Sequence, residues 1–428
     1  MFQQSRESQR MKQFVRIFIC LGFVALFGTN SWAKQKEEGQ SVFGVKHQSA
    51  PDSESRSESS GKNAFQKPIF LPGTGSATAI LAIDYNQDGV TDLIEKGGNV
   101  ITIHLANSDG SFSDNKMYQL NLEEFFPTNE SLPLLAAADL DDNHQTLELI
   151  LPVPGSFVVI FNLGFKEDTG YVFTLRPNPS TPSPSSIETT DFDNDGDIDI
   201  VLTDDTANLV LVMFNNGAGI FGNGMVFETG LKPKKVAVDD FNSDGTKDLV
   251  IANVGSNSIN IVLGSGPTST VQSISLPMSP DTVLVNDLNG DHNLDVMVAS
   301  KGPLGKFGVL FGDGTGEFNL VLSSVDLPPV SGAVIANFVG DQKPEIVFTH
   351  PESKKLTLVT FSESGMEASS LQFEGIKSPI SLKTNDLNQD GLPDLILSTT
   401  NKKKSIVILL NAGTTKDEEW QFFLWKIR

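Results

Sequence analysis

Seven acidic strings recur along this chain at a near-constant step, and no other feature narrows its possible folds as far. They begin at Asp84, Asp139, Asp191, Asp240, Asp287, Asn337 and Asp386, so the steps are 55, 52, 49, 47, 50 and 49 residues. A period of about 50 is that of propellers and other repeat arrays, whose units bury their apolar faces only against their neighbours. Four copies keep oxygen-bearing residues at positions 1, 3, 5 and 9 with glycine at 6: Asp84/Asn86/Asp88/Gly89/Asp92, Asp191/Asp193/Asp195/Gly196/Asp199, Asp240/Asn242/Asp244/Gly245/Asp248 and Asp386/Asn388/Asp390/Gly391/Asp394. A fifth, Asp287/Asn289/Asp291/Asp295, has His292 in place of the glycine. Two are degenerate: Asp139/Asp141/Asn143 with His144 and a late Glu148, and Asn337/Val339/Asp341/Glu345.

The spacing suits calcium. The ion takes about six to eight hard oxygen ligands, and alternate residues of a tightly curved loop point inward together. Glycine at position 6 permits the turn, and the position 9 carboxylate is expected to close the cage. An EF-hand begins in the same way but needs a bidentate glutamate at position 12 and flanking helices. The twelfth residues of the four intact loops are Glu95, Leu202, Ile251 and Leu397, and the flanks are short β-type runs such as Leu249-Val-Ile-Ala252. The EF-hand reading fails. Four or five structural Ca²⁺ ions are expected, with metal at Asp139 and Asn337 doubtful.

In the fourth repeat, Val236–Asp239, Leu249–Ala252, Ile259–Leu263 and Val271–Leu276 read as strands A to D, separated by turn formers. Four short antiparallel strands per repeat make a propeller blade, so the expected fold is all-β and seven-bladed. The combined string of apolar strand, Asp-x-[Asp/Asn]-x-Asp-Gly-x-x-Asp, apolar strand, then Gly/Phe stretches such as Asn216-Gly-Ala-Gly-Ile-Phe221 and Gly312-Asp-Gly-Thr-Gly-Glu-Phe318 resembles the FG-GAP (VCBS-type) repeats of the integrin α-subunit propeller and of secreted bacterial proteins. The resemblance spans residues 65–428 and implies calcium in the A–B loops on one face, with ligands met on the other. It implies no single function. Two apolar segments compete to close the ring as the last blade's outer strand, Phe65–Leu71 and Trp420–Ile427.

Residues 1–33 read as a secretory signal: Arg6, Arg10, Lys12 and Arg16, then the apolar run Ile17–Gly28, then Ser31-Trp-Ala33 before a cut near Lys34. The run is short for a membrane span, and Ile19 before Cys20 does not suit a lipobox. Residues 34–64, rich in Ser, Glu, Gln and Lys, read as a disordered linker. Cleavage would remove the single cysteine and leave 27 Lys and Arg against 52 Asp and Glu, a net charge of −25. So acidic a body argues against nucleic acid and, with a signal, for an extracellular, surface or periplasmic monomer that relies on burial and metal rather than disulfides.

With calcium in the A–B turns, the D–A and B–C turns share the opposite face. Lys96, Lys232, Lys234, Lys235, Lys301, Lys306, Lys354, Lys355, Lys377, Lys402, Lys403 and Lys404 fall in those turns and would form a basic crescent, a candidate site for an acidic protein or an anionic glycan. No Gly-x-Ser-x-Gly, zinc-type histidine pair or phosphate loop appears, so no catalytic residue is assigned. The expected role is a non-catalytic protein-binding or adhesion module. The alternative is a lectin or polysaccharide-active enzyme using the basic face, although Trp420 and Trp425 lie outside the repeats and no aromatic platform recurs.

Overall fold

The computed structural model describes residues 68–413, apart from 74–76, 122–133, 143–145, 154–155, 162–170, 176–182, 223, 265–268, 302–304, 341–342, 352–354, 363–364, 373–375, 377, 400 and 402–404. The expected signal, linker and Trp420–Ile427 segment lie outside the described residues. Among the described residues no helix is long and apolar enough to cross a membrane.

A short strand, β1 (Ile69–Leu71), comes first. One four-stranded sheet per repeat follows: β2 (Ala79–Ile83), β3 (Asp92–Gly97), β4 (Val100–Ala106) and β5 (Phe112–Asn121); β6 (Ala136–Ala138), β7 (Glu148–Val153), β8 (Ser156–Phe161) and β9 (Tyr171–Leu175); β10 (Pro184–Thr190), β11 (Asp199–Asp204), β12 (Leu209–Met213) and β13 (Met225–Glu228); β14 (Pro233–Asp239), β15 (Asp248–Asn253), β16 (Ser258–Leu263) and β17 (Thr270–Ser275); β18 (Thr282–Asn286), β19 (Asp295–Ala299), β20 (Phe307–Gly312) and β21 (Phe318–Leu322); β22 (Gly332–Ala336), β23 (Glu345–Thr349), β24 (Lys355–Ser362) and β25 (Gly365–Gln372); and β26 (Pro379–Asn385), β27 (Asp394–Thr399) and β28 (Ile406–Leu409). Strands pair in sequence order within each sheet, and the last sheet reads β26-β27-β28-β1. The molecule is a β-propeller of four-stranded antiparallel blades.

The closing strand comes from the N-terminal side. Ile69 lies opposite Ile408 and Leu71 opposite Ile406 in an antiparallel pair. A sheet from the end of the repeats thereby takes its edge strand from before them, and β28 is not left unpaired.

The burial pattern explains the strand chemistry. Second strands such as β11, β15 and β27 are buried at every residue, because a sheet lies against each of their faces. Outer strands alternate, as in β17, where only every second side chain turns inward. The core is a ring of clusters, each shared by two adjacent sheets. Phe192, Val201 and Val212 of the third sheet pack on Val236, Leu249 and Ile251 of the fourth. Leu71, Ile396 and Ile408 of the last sheet pack on Ile80 and Leu93 of the first, so the clusters run around the whole ring. Full burial of one such side chain is worth about 1.5–3 kcal/mol.

The first strands of the sheets surround the axis: β10 touches β6 and β14, β18 touches β14 and β22, and β26 touches β22 and β2. Three of them, β10, β14 and β26, open on a proline followed by a register shift, at Pro184/Ser186, Pro233/Lys235 and Pro379/Ser381. Proline is tolerated as the first residue of a strand, and the irregularity re-aims the side chains that follow. In the worked fourth repeat the observed strands begin up to three residues before the expected ones.

Candidate functional site

The loops between first and second strands repeat one geometry. The position 1 carboxylate folds back over its own loop. Asp84 accepts from the N–H groups of Asp88 and Gly89, Asp191 from Asp195 and Gly196, Asp240 from Asp244 and Gly245, Asp287 from Asp291 and His292, and Asp386 from Asp390 and Gly391, all at 2.8–3.2 Å. The position 6 glycines Gly89, Gly196, Gly245 and Gly391 sit at φ 84–97°, and His292 takes the same left-handed region at 70°. Position 4 is left-handed too, with Gln87, Asn194, Ser243 and Gln389 at 55–61°, which the spacing alone did not reveal. From there Asn194 Nδ2 donates to Gly245 O of the next loop (2.7 Å), and Gln389 Nε2 to Gly89 O (3.1 Å), tying neighbouring loops together.

Position 3 sets the charge balance. Asn86, Asn242, Asn289 and Asn388 each donate Nδ2 to the position 5 carboxylate, of Asp88, Asp244, Asp291 and Asp390, at 2.9–3.0 Å. The third loop has Asp193 there and no such donor. Oxygens of Asp191, Asp193 and Asp195 lie within 4.8 Å of one another. Burial first, then Asp195 and Asp191, push the Asp193 carboxyl above its usual range. An all-oxygen donor set of this charge fits a hard divalent cation such as Ca²⁺.

Position 9 serves the fold as well. Asp92, Asp199, Asp248, Asp295 and Asp394 are fully buried. In each, one oxygen accepts the N–H of loop position 2 (Tyr85, Phe192, Phe241, Leu288 and Leu387, at 2.9–3.1 Å), and the other accepts an N–H at or just after the end of the third strand (Ala106, Asn215, Gly264, Gly312 and Asn411, at 2.6–3.0 Å). This carboxylate latches the loop to the sheet whether or not it also reaches an ion. Burial, working against those bonds, pushes Asp92, Asp199, Asp295 and Asp394 up to about 6.

The second loop, degenerate in sequence, gathers Asp139, Asp141 and Glu148 with oxygens within 4.8 Å of one another. Glu148 Oε2 takes the Leu140 N–H at 2.7 Å, while its buried Oε1 accepts no hydrogen bond. Burial, then Asp141 and Asp139, raise this carboxyl to about 7. In the sixth loop Glu345 takes the Phe338 N–H at 2.8 Å; Asp341 lies outside the described residues.

The lysines are less uniform than their turns suggested. Lys96 is buried in the first sheet, and burial pulls its ammonium down to about 8. It does not belong to a surface crescent, because its strand is packed on both faces. Lys235 is half-buried and paired with Glu188. Lys234, Lys301, Lys306 and Lys355 are exposed. Although the Lys301 side chain reaches solvent, the protein crowded around its ammonium pulls its proton affinity down, Asp281 raises it and Lys234 lowers it, so these three groups share one patch. Lys354, Lys377, Lys402, Lys403 and Lys404 lie outside the described residues.

The first strands line an open cavity of about 370 Å³, with Ala79, Leu81, Ala136, Glu188, Lys235 and the exposed Lys383 among its lining residues. Sequence reasoning passed over Lys383, because it collected lysines from turns and this one is in β26. The alternation of side chains along a first strand is the signal that would have found it.

Residues 191–251 and 240–298 each match the model of an FG-GAP-like repeat. No curated protein matches the sequence. Among solved structures, one of BBS1N in complex with ARL6DN, soaked with lead, is similar over 81% of this chain and 98% of that one, at 10% identity and a TM-score of 0.54. At that identity the likeness is one of fold.

Proposed function

We propose that this FG-GAP-repeat β-propeller is a non-catalytic protein-interaction module, a seven-bladed ring exported by its N-terminal signal and braced by structural Ca²⁺ in its A–B loops. The observation that supports the metal is the recurrence of one loop geometry in five sheets, with carboxylates at positions 1 and 5 on the solvent side and a buried latch at position 9. The loops at Asp84, Asp191, Asp240, Asp287 and Asp386 would hold four or five ions. Asp139/Asp141/Glu148 joins them as a further candidate, because a buried Oε1 without a donor is an oxygen left for a cation.

Bound calcium would cancel repulsion between carboxylates that have few donors of their own, most of all in the third loop. Thermal unfolding in millimolar Ca²⁺ and in EDTA, with metal counted by atomic emission, tests this. Four or more ions and a large fall in melting temperature on chelation are expected, with Asp195→Asn losing most of the calcium-dependent part. No metal and no shift would overturn the calcium reading.

The face opposite the loops is left for a partner. The structure of BBS1N, similar in fold, was solved in complex with ARL6DN, which supports an interaction role for a propeller of this kind. Both described histidines outside the loops have packing roles. His350 is buried between Pro329 O and Thr357 Oγ1, at 3.1 and 2.8 Å, and His104 is buried in β4. The patch of Lys234 and Lys301 gives a second reading, an anionic glycan. Salt-sensitive retention on anionic polysaccharide, lost in Lys234→Ala/Lys301→Ala, would favour it over a protein ligand.

A further inference from the structure

Position 4 of an acidic loop offers no oxygen to its own cage, yet in some loops its side chain reaches the neighbouring one. Asn194 of the third loop donates Nδ2 to Gly245 O of the fourth at 2.7 Å, and Gln389 of the seventh donates Nε2 to Gly89 O of the first at 3.1 Å. In both cases the accepting carbonyl belongs to the peptide group between loop positions 6 and 7. The N–H of that same group, on Thr246 or Val90, donates to the position 5 carboxylate of Asp244 or Asp88, at 2.8 and 3.0 Å. One peptide unit thus holds the neighbour's amide on its oxygen and a proposed calcium ligand on its nitrogen.

Other loops keep the turn and lose the reach. Gly290 and Gly340 take position 4 of the fifth and sixth loops in the left-handed region, both at φ 81°, and have no side chain to extend. Ser243 in the fourth loop is shorter than asparagine by an amide group. Asp142 in the second, at φ 55°, ends in a carboxylate, which when ionised has no hydrogen to donate. Gln87 of the first loop turns to a different acceptor, Asp139 Oδ2 of the second, at 3.4 Å. The backbone is common to the loops, and the carbonyl link is specific to two pairs.

We propose that calcium binds cooperatively within those pairs, the third loop with the fourth and the seventh with the first, and independently in the fifth. This rests on the calcium reading above and concerns how the sites fill. An ion that fixes Asp244 orients the Gly245–Thr246 peptide group, whose carbonyl then holds Asn194. Asn194 stands between Asp193 and Asp195, so holding it pre-orders two carboxylates of the third cage before an ion arrives. Ordering already done by one ion is spared to the next, and coupling of this kind runs equally in both directions. The seventh–first pair lies where the last sheet packs on the first, so that junction would be braced by two ions acting together.

Hydrogen exchange of the full chain tests this, followed by mass spectrometry on peptides from each loop across a series of free calcium concentrations. Each loop then has its own midpoint. Asp244→Ala disables the fourth cage and should raise the third loop's midpoint by about two- to tenfold, the worth of one hydrogen bond. Asn194→Gly copies the residue of the fifth and sixth loops and leaves the left-handed turn unstrained. In that background Asp244→Ala should leave the third loop's midpoint where it was, and the fifth loop's midpoint should not move in any variant. No protection by calcium in any loop would overturn the calcium reading, and this proposal with it. Calcium-protected loops in which the third midpoint ignores Asp244→Ala would overturn the coupling alone. So would a shift of equal size in the Asn194→Gly background or in the fifth loop.

Discussion

Replacing Asp199 by alanine separates the two tasks that an acidic loop performs. The native carboxylate accepts Phe192 N–H at 2.9 Å and Asn215 N–H at 2.8 Å, and both of those residues are buried. Each donor stranded without water costs ~1–3 kcal/mol, so the pair costs ~4 kcal/mol at mid-range. Loss of the side chain adds ~1 kcal/mol for the small cavity it leaves. Alanine also removes a charge held at about 6 rather than 3.8, which at neutral pH returns ~3 kcal/mol. Stranding wins, and the balance is a destabilisation of ~2 kcal/mol in EDTA. The comparison is Asp195→Ala in the same loop, whose carboxylate is exposed and should cost under ~0.5 kcal/mol without metal. Urea midpoints at unchanged slope read the global effect, and hydrogen exchange of the Phe192 and Asn215 amides reads the local one. An Asp199→Ala protein as stable in EDTA as the wild type, with both amides still protected, would refute the latch.

Two further outcomes follow from buried or strained histidines. His104 is held down to about 4 by burial, so its neutral form contributes stability that is fully present above the unfolded value of 6.5 and is lost as pH falls through about 4. In EDTA, the stability of wild type relative to His104→Gln should therefore fall by ~2 kcal/mol between pH 7.5 and 5, as read by urea midpoints; a difference independent of pH would refute it. His292 occupies the left-handed position that glycine fills in four other loops, at φ 70°. Relief of that strain, set against the extra freedom of glycine when unfolded, should make His292→Gly more stable by up to ~1 kcal/mol, and a lower melting temperature would count against the reasoning.

The repeat was legible because its elements are local. The glycine, the alternate oxygens and the apolar run of the second strand are read from a dozen consecutive residues, and they correctly place the loops, the strands and the sheet count per repeat. The closing strand was not legible, since Phe65–Leu71 and Trp420–Ile427 are both apolar and only pairing with β28 distinguishes them. Lys96 was misplaced because a residue count puts it near a turn, whereas the structure keeps it inside a strand packed on both faces. Lys383 was invisible for a related reason: which of two faces a strand residue takes becomes meaningful only once the first strands surround an axis.

The degenerate loops show which oxygens the fold requires. In all seven loops a buried carboxylate at the start of the second strand takes the N–H of the residue after loop position 1, including Glu148 and Glu345 where the cage pattern has decayed. The longer glutamate reaches the same donor, in the second loop across one extra residue. Outer oxygens vary instead: Asn337 and Val339 stand where carboxylates or amides stand elsewhere. A position retained in all seven loops serves the fold, and the outer oxygens that vary are the ones the proposed ions would need. Chelation should therefore loosen the turns while leaving the strands paired, so the β-sheet circular dichroism of the EDTA-treated protein should match that of the calcium form below its melting temperature. A collapse of that signal on chelation alone would mean that the ions, rather than the latches, hold the blades.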